Sequence, residues 1–247
     1  MVKQKKFRVA AFQRVPAFDD IPGTTRRLLS DLQWCEAQGV DLAVFPECFL
    51  QGYTTDPQVI ASRAIAADSP RMRTFAATFA HLSVDLIVGF IERRTNGFYN
   101  AAAVIRGGEV VGIYAKNHPN EQAFLPGEAS PVFRKHDLRY GINICADANF
   151  PASARRLSEN GAGLICYPLN NLLEPVTADR WRARSIENLR ARAIETGCWV
   201  VSSDVVGRHG QKRSYGCTCV VNADGVVMAR VAEGAEGVIV HDMPLWR

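Results

Sequence analysis

Apolar residues along this chain recur with two periods, and the places where one gives way to the other mark its elements. Phe7 to Gln13 and Asp41 to Pro46 are short apolar runs of strand length. Between them, from Ile21 to Gly39, Leu28, Leu32 and Cys35 recur at helical spacing and Gly39 supplies a stop, which predicts a strand-helix-strand unit. A second helix is predicted over Pro70 to Leu82. Val84 to Ile91 then opens a meander whose turns fall at Asn96-Gly97 and Gly107-Gly108, giving three antiparallel strands that end at Lys116.

Past a loop rich in Asn, Pro and Gly, from Asn117 to Pro131, the alternation resumes. It predicts a strand over Leu138 to Cys145, a helix over Ser153 to Asn160 and a strand over Leu164 to Pro168. Asp179 to Thr196 reads as a long, arginine-rich helix. Trp199 to Ser203, a hairpin folded at Asp224-Gly225 between Tyr215 to Asn222 and Val226 to Val231, and Val238 to Asp242 complete the strands. Strand-helix units beside antiparallel meanders predict an α/β fold in four layers, an α-β-β-α sandwich of two mixed sheets, in preference to one very large sheet. No repeat of fixed period, low-complexity tract or long linker divides the chain, so residues 1–247 are read as a single domain.

Composition narrows the function classes. With 47% hydrophobic and 22% charged residues the chain buries a large core. The net charge of +4 is spread over 29 basic and 25 acidic residues, and only Lys3 to Arg8 form a short basic cluster, so no nucleic-acid partner is expected. No apolar run approaches the ~20 residues of a membrane helix, and the basic start passes directly into the strand-like Phe7 to Phe12, so a cytoplasmic protein without a membrane partner is expected. Seven cysteines without Cys-x-x-Cys pairs imply reduced thiols. His81, His118, His136, His209 and His241 fall in no His-Glu-x-x-His pattern, so neither metal nor cofactor is expected. A serine-hydrolase elbow and a phosphate loop are also missing from the sequence.

Candidate chemistry gathers where apolar strands stop. Cys145, in Tyr140-Gly-Ile-Asn-Ile-Cys-Ala-Asp-Ala-Asn-Phe-Pro151, lies where a strand gives way to a turn. Glu47 follows Val44-Phe45-Pro46, and Lys116 follows Val111-Gly112-Ile113-Tyr114-Ala115. Singly, each reads as a core thiol or a surface charge. Together they supply a nucleophile, a base and a cation at one rim. Cys217 and Cys219 would share one strand face, and two small core residues explain them better than a redox pair.

At these positions the chain resembles the nitrilase superfamily of carbon-nitrogen hydrolases, which carries a Glu-Lys-Cys triad in that order. Val44-Phe45-Pro46-Glu47-Cys48-Phe49-Leu50-Gln51-Gly52-Tyr53 is similar to the segment of the general-base glutamate. Tyr114-Ala115-Lys116-Asn117-His118, followed by Phe124-Leu125-Pro126-Gly127, is similar to the lysine segment, and Gly141-Ile142-Asn143-Ile144-Cys145-Ala146-Asp147 to the nucleophile segment. Phe150-Pro151, Arg155, Leu157, Gly161-Ala162, Pro168, Arg192-Ala193-Ile194-Glu195 and Tyr215-Gly216 extend the likeness over nearly the whole chain.

The resemblance implies an amidase-like enzyme that cleaves a non-peptide carbon-nitrogen bond of a small amide or carbamoyl compound through a thioester on Cys145. Glu47 would take the thiol proton, while Lys116 and the Ala146 N–H meet the oxyanion. It also implies a second glutamate, for which Glu121 is the counterpart and Glu128 a competitor. Substrate contacts are implied at Tyr53, His118, Ala146, Asn149, Phe150 and Asn170, and a homodimer or larger assembly, to which the apolar end Met243-Pro244-Leu245-Trp246 adds weight. Ala146 stands where an aromatic residue is common and Asp147 where nitrile-cleaving relatives carry Glu, so amides are expected over nitriles. The alternatives are nitrile hydrolysis by the same triad and an inactive binding module, which would use the arginines of the long helix, Arg180, Arg182, Arg184, Arg190 and Arg192, to hold an acidic partner. Cys48 is expected to point away from the cleft.

Overall fold

The computed structural model describes residues 6–244. The first half runs β1 (Lys6–Gln13), α1 (Ile21–Ala37), β2 (Leu42–Val44), α2 (Pro57–Arg63), α3 (Pro70–Ala77), β3 (Asp85–Arg94), β4 (Gly97–Arg106) and β5 (Glu109–Ala115). The second runs β6 (Val132–Lys135), β7 (Leu138–Ile142), α4 (Pro151–Glu159), β8 (Leu164–Pro168), α5 (Pro175–Thr196), β9 (Trp199–Ser203), β10 (Gly207–His209), β11 (Lys212–Ser214), β12 (Cys219–Val221), β13 (Val227–Arg230) and β14 (Gly237–Pro244).

Two six-stranded sheets result, in the orders β14-β1-β2-β3-β4-β5 and β13-β12-β9-β8-β7-β6. Each has three parallel strands at its centre, β1-β2-β3 and β7-β8-β9, with antiparallel strands on both sides. Both are therefore mixed, as the sequence predicts.

Alternation along the strands assigns every layer. In β1, Phe7, Val9 and Ala11 face the second sheet, where they meet Tyr140, Ile142, Leu164 and Cys166, whereas Ala10 and Phe12 face Leu28 and Leu32 of α1. In β8, Ile165 and Tyr167 face the other way, onto Leu157 of α4 and Leu189 of α5. Helix, sheet, sheet and helix thus share three continuous apolar seams. Leu28 and Leu32 are wholly buried, and truncating either to alanine would cost about 2–5 kcal/mol.

Several elements depart from the pattern. The strand predicted to reach Cys145 ends at Ile142, because the chain turns into a 3-10 turn over Cys145–Asn149. Helix α5 starts at Pro175, four residues early; a proline at the first helical position loses no hydrogen bond there. Helix α2, β6 and the β10–β11 hairpin are too short for periodicity to reveal. The apolar end is corrected too: Met243 is 1% exposed in the inter-sheet core, so it offers no free surface, and Leu245 and Trp246 lie outside the described residues. Among the described residues no helix is long and apolar enough to cross a membrane.

Candidate active site

Three turns meet at one end of the sheet interface. After β2 the chain folds back over β3, with Cys48 in the left-handed region at φ +48°. A Cβ at Gly89 would stand 2.4 Å from the Pro46 carbonyl oxygen and the Cys48 nitrogen, so only glycine lets that turn lie on the strand. Glu47 is tied across to the second sheet by its N–H, which donates to the Leu169 carbonyl at 3.1 Å. Lys116, one residue past β5, donates its N–H to the Asn100 carbonyl at 2.8 Å and accepts from the Gly127 N–H at 2.8 Å, which closes the loop between them. Cys145 opens its 3-10 turn at φ +41°, a conformation a non-glycine residue holds only when its surroundings fix it.

The side chains form one buried cluster. Lys116 Nζ donates to Glu47 Oε1 at 2.7 Å, and Asn100 Nδ2 donates to the same oxygen at 2.6 Å. Glu121 Oε1 lies 3.8 Å from Lys116 Nζ and accepts a hydrogen bond from the Tyr53 hydroxyl. Glu121 Oε2 is buried without a partner. Cys145 is half-buried, and with Glu47, Lys116, Glu121 and Tyr53 it lines a cavity of about 210 Å³. That lies below the roughly 300–1,000 Å³ typical of sites for drug-sized ligands, so the cavity suits a small molecule.

Burial governs the electrostatics. It raises Glu47 above the ordinary carboxylate range, while the Lys116 ammonium pulls in the opposite direction. Burial alone would lower Lys116, but Glu47, Cys145 and Glu121 outweigh it and keep the ammonium charged. The Cys145 thiol is pushed well above its usual value, first by desolvation and then by the Glu47 charge; Lys116 and the Asn170 backbone N–H oppose the shift. Both effects favour the thiol over the thiolate, so a role for Cys145 in nucleophilic attack would require an acceptor for its proton.

Asp147 locks the turn that carries Cys145 to the loop that carries Lys116. Its Oδ2 accepts from the Tyr114 hydroxyl at 2.7 Å and from the Ile144 N–H at 2.8 Å, and its Oδ1 accepts from the His118 N–H at 2.9 Å. Burial raises this carboxyl as well.

Of the residues named from sequence, Glu47, Lys116, Cys145, Glu121, Tyr53, Ala146, Asn149 and Asn170 all line the cavity. Glu128 is exposed and does not, which leaves Glu121 as the second glutamate at the site. His118 and Phe150 are also absent from its wall. Their rings stack on each other 3.8 Å apart, with His118 Nε2 3.0 Å from Ser153 Oγ, so they occupy each other on a neighbouring surface. Cys48 is buried, and its Sγ lies 3.5 Å from Asn100 Oδ1, away from the cavity.

The sequence reading missed Asn100, a lone amide amid the apolar Tyr99 to Ile105, and that polarity was the available signal. It also missed Trp181, Thr177, Ser185 and Asn188, which reach the cavity from α5. The arginine-rich pattern concealed that face. An arginine-rich helix usually presents a solvated or ion-paired face. Arg182 pairs with Glu233 and Arg192 with Glu195, but Arg192 is 6% exposed and also donates to the Ala148 carbonyl at 2.8 Å. Among the described residues no group of three or more His, Cys, Asp or Glu side chains is placed to hold a metal ion.

A family model described as carbon-nitrogen hydrolase matches residues 8–247. The chain is 32% identical over 229 residues to a Pseudomonas protegens protein described as "Hydrolase in pqqF 5'region", covering 90% of this chain and 77% of that one. It is 34% identical over 169 residues to the human deaminated glutathione amidase, 59% of this chain and 49% of the human protein. Its fold superposes on Nit3 of Saccharomyces cerevisiae, a member of branch 10 of the nitrilase superfamily, with a TM-score of 0.84 at 22% identity, covering 98% of this chain and 90% of Nit3.

Proposed function

The chain belongs to the carbon-nitrogen hydrolase family, the nitrilase superfamily, and from that premise we propose that it hydrolyses small amides through a thioester on Cys145. The observation that carries the reading is the half-buried thiol sharing one small cavity with a buried Glu47–Lys116 pair.

In the proposed reaction Cys145 Sγ attacks the substrate carbonyl carbon and its proton passes to Glu47. Both Lys116 and Asn100 donate to Glu47 Oε1, so Oε2 is the oxygen left for that proton. The carbonyl becomes an oxyanion, met by the Lys116 ammonium and by the Ala146 N–H. That N–H opens a 3-10 turn, where the first N–H groups have no carbonyl of the turn to bond. Collapse of the tetrahedral carbon breaks the C–N bond; Glu47 returns the proton to the departing nitrogen, and ammonia or an amine leaves. Water then attacks the thioester, Glu47 takes its proton, and the acid and the thiol are released. Glu121, with Oε2 unpartnered, is suited to accept from the substrate amide N–H and keeps Lys116 aimed.

Preference for amides over nitriles rests on Ala146, a small side chain in the cavity wall that leaves room for a tetrahedral carbon with a departing amine. A nitrile is linear and gives a thioimidate. All seven cysteines are free, in keeping with a reducing, cytoplasmic setting. Assembly into dimers or larger oligomers remains part of the proposal, to be measured by light scattering at micromolar concentration.

The test is hydroxylamine trapping. Turnover of a small amide with hydroxylamine present should yield the acyl hydroxamate, because the thioester partitions between the two nucleophiles. Ammonia release without any hydroxamate would refute the thioester, and faster kcat/KM on the nitrile of the same acyl skeleton would reverse the substrate preference.

A further inference from the structure

Beyond the reacting atoms, the cavity wall has a uniform chemistry. It is built largely from asparagines, among them Asn149, Asn170 and Asn188, with Thr177, Ser185 and the indole of Trp181, and three leucines and Ala148 add apolar surface. The amides are held in defined orientations. Asn170 Oδ1 accepts from the Leu172 N–H at 3.2 Å, which leaves its NH2 for the cavity. Asn188 Nδ2 donates to Asn149 Oδ1 at 2.6 Å, which leaves the Asn188 carbonyl oxygen and the Asn149 NH2. The wall thus presents both donors and acceptors.

No cation stands among them. Among the described residues Lys116 is the one basic side chain on the cavity, held between Glu47 and Glu121, so two carboxylates face one ammonium. Of the arginines along α5, Arg182 pairs with Glu233 and Arg190 donates to the Gly225 carbonyl, while Arg184 lies over the Trp181 ring and does not itself line the cavity. A substrate carboxylate brought into this space would lose its hydration, find no counter-charge and lie near a cluster already rich in negative charge. A cationic tail would find no carboxylate on this wall, because both glutamates that line the cavity stand at the reacting end beside Lys116.

Resting on the amidase reading above, we propose that this wall selects acyl groups with an uncharged tail carrying both a hydrogen-bond donor and an acceptor, such as a carboxamide, and rejects the same skeleton ending in a carboxylate. Ser185, Asn188 and Asn170 are its specificity-determining residues.

Three probes test it: butyramide, glutaramide and glutaramate, the last two differing only in a terminal carboxamide against a carboxylate. Glutaramide should exceed glutaramate in kcat/KM by about a hundredfold or more, because a buried charge without a partner is penalised far more than a missing methylene. Equal or better turnover of glutaramate overturns the proposal, as does turnover of butyramide alone, which leaves the amidase reading standing. Failure of all three overturns the amidase reading itself. In Ser185→Arg, a cation placed on the wall should shift the glutaramide-to-glutaramate ratio toward the anion by about tenfold or more. Leu173→Arg provides the same charge from the loop that leads into α5 should the helix itself not tolerate the first. An unchanged ratio in a folded variant would mean that this wall does not set the selectivity.

Discussion

Buried charge clusters close both ends of the sheet interface, and they differ in what they leave unfinished. At the end where β2 and β3 begin, Asp85 is wholly buried. It accepts from Arg106 Nε at 2.9 and 3.0 Å, from Lys135 Nζ at 2.9 Å and from the Tyr140 hydroxyl at 3.3 Å. Both carboxylate oxygens are engaged, and the two basic side chains reach in from the rim. At the opposite end Glu47, Glu121 and Lys116 are equally buried, yet Glu121 Oε2 has no partner and the cluster opens on a cavity beside a thiol. A buried ion network with every oxygen satisfied clamps two sheets together; one left short of a donor, beside a thiol and a cavity, has room for a ligand to complete it, as the proposed function requires.

Four variants break or sharpen that contrast. Cys145→Ala should remove turnover by at least about 10⁴-fold, since the remaining groups cannot form the acyl-enzyme, with Tm nearly unchanged because only a thiol is lost. Appreciable activity in the folded variant, measured by ammonia release, would exclude Cys145 as the nucleophile. Lys116→Met should follow. Loss of roughly 3 kcal/mol of oxyanion stabilisation corresponds to about a hundredfold or more in kcat/KM, and Tm should fall as well because two buried carboxylates lose their cation. Near-normal turnover with circular dichroism unchanged would contradict the role.

Asp85→Asn is the counterpart at the closed end. It should cost about 1–3 kcal/mol in denaturant unfolding while kcat/KM stays within about twofold. A large kinetic loss without a stability loss would erase the distinction between clamp and site. The smallest effect is expected from Asn100→Leu. Glu47 must be ionised to act as base, so activity falls as pH falls through its pKa, and burial places that limb above the ordinary 4.5. Removing the Asn100 donor, which favours the carboxylate, should move the acid limb of kcat/KM to higher pH. An unmoved limb would mean that Asn100 does not hold the charge of Glu47.

Much of the site was legible because its residues sit where an apolar run stops. Glu47, Lys116 and Cys145 each end such a run; β2 and β5 run the same way in one sheet and so bring two of them to one edge, while β7, in the other sheet, reaches it through the packing of the two sheets. His118 and Phe150 were legible as neighbours of the site but not as each other's partners, since stacking depends on where the Asp147 hydrogen bonds fix the lysine loop. Asn100 and the cavity face of α5 escaped because their significance depends on what lies across a gap.

By itself the sequence determined the layering of the fold, because strand and helix periods fix which residues face a core, and it determined which side chains could react, because those are matters of residue type at the end of an apolar run. Only the tertiary structure decided that Glu121 and not Glu128 joins the cluster, that Met243 is core, and that the outer wall carries amides without a free cation. These outcomes depend on contacts between segments as distant as Phe7 and Met243, which no local pattern encodes: a neighbour in space is set by how the two sheets meet, and burial, pairing and cavity shape follow from that meeting.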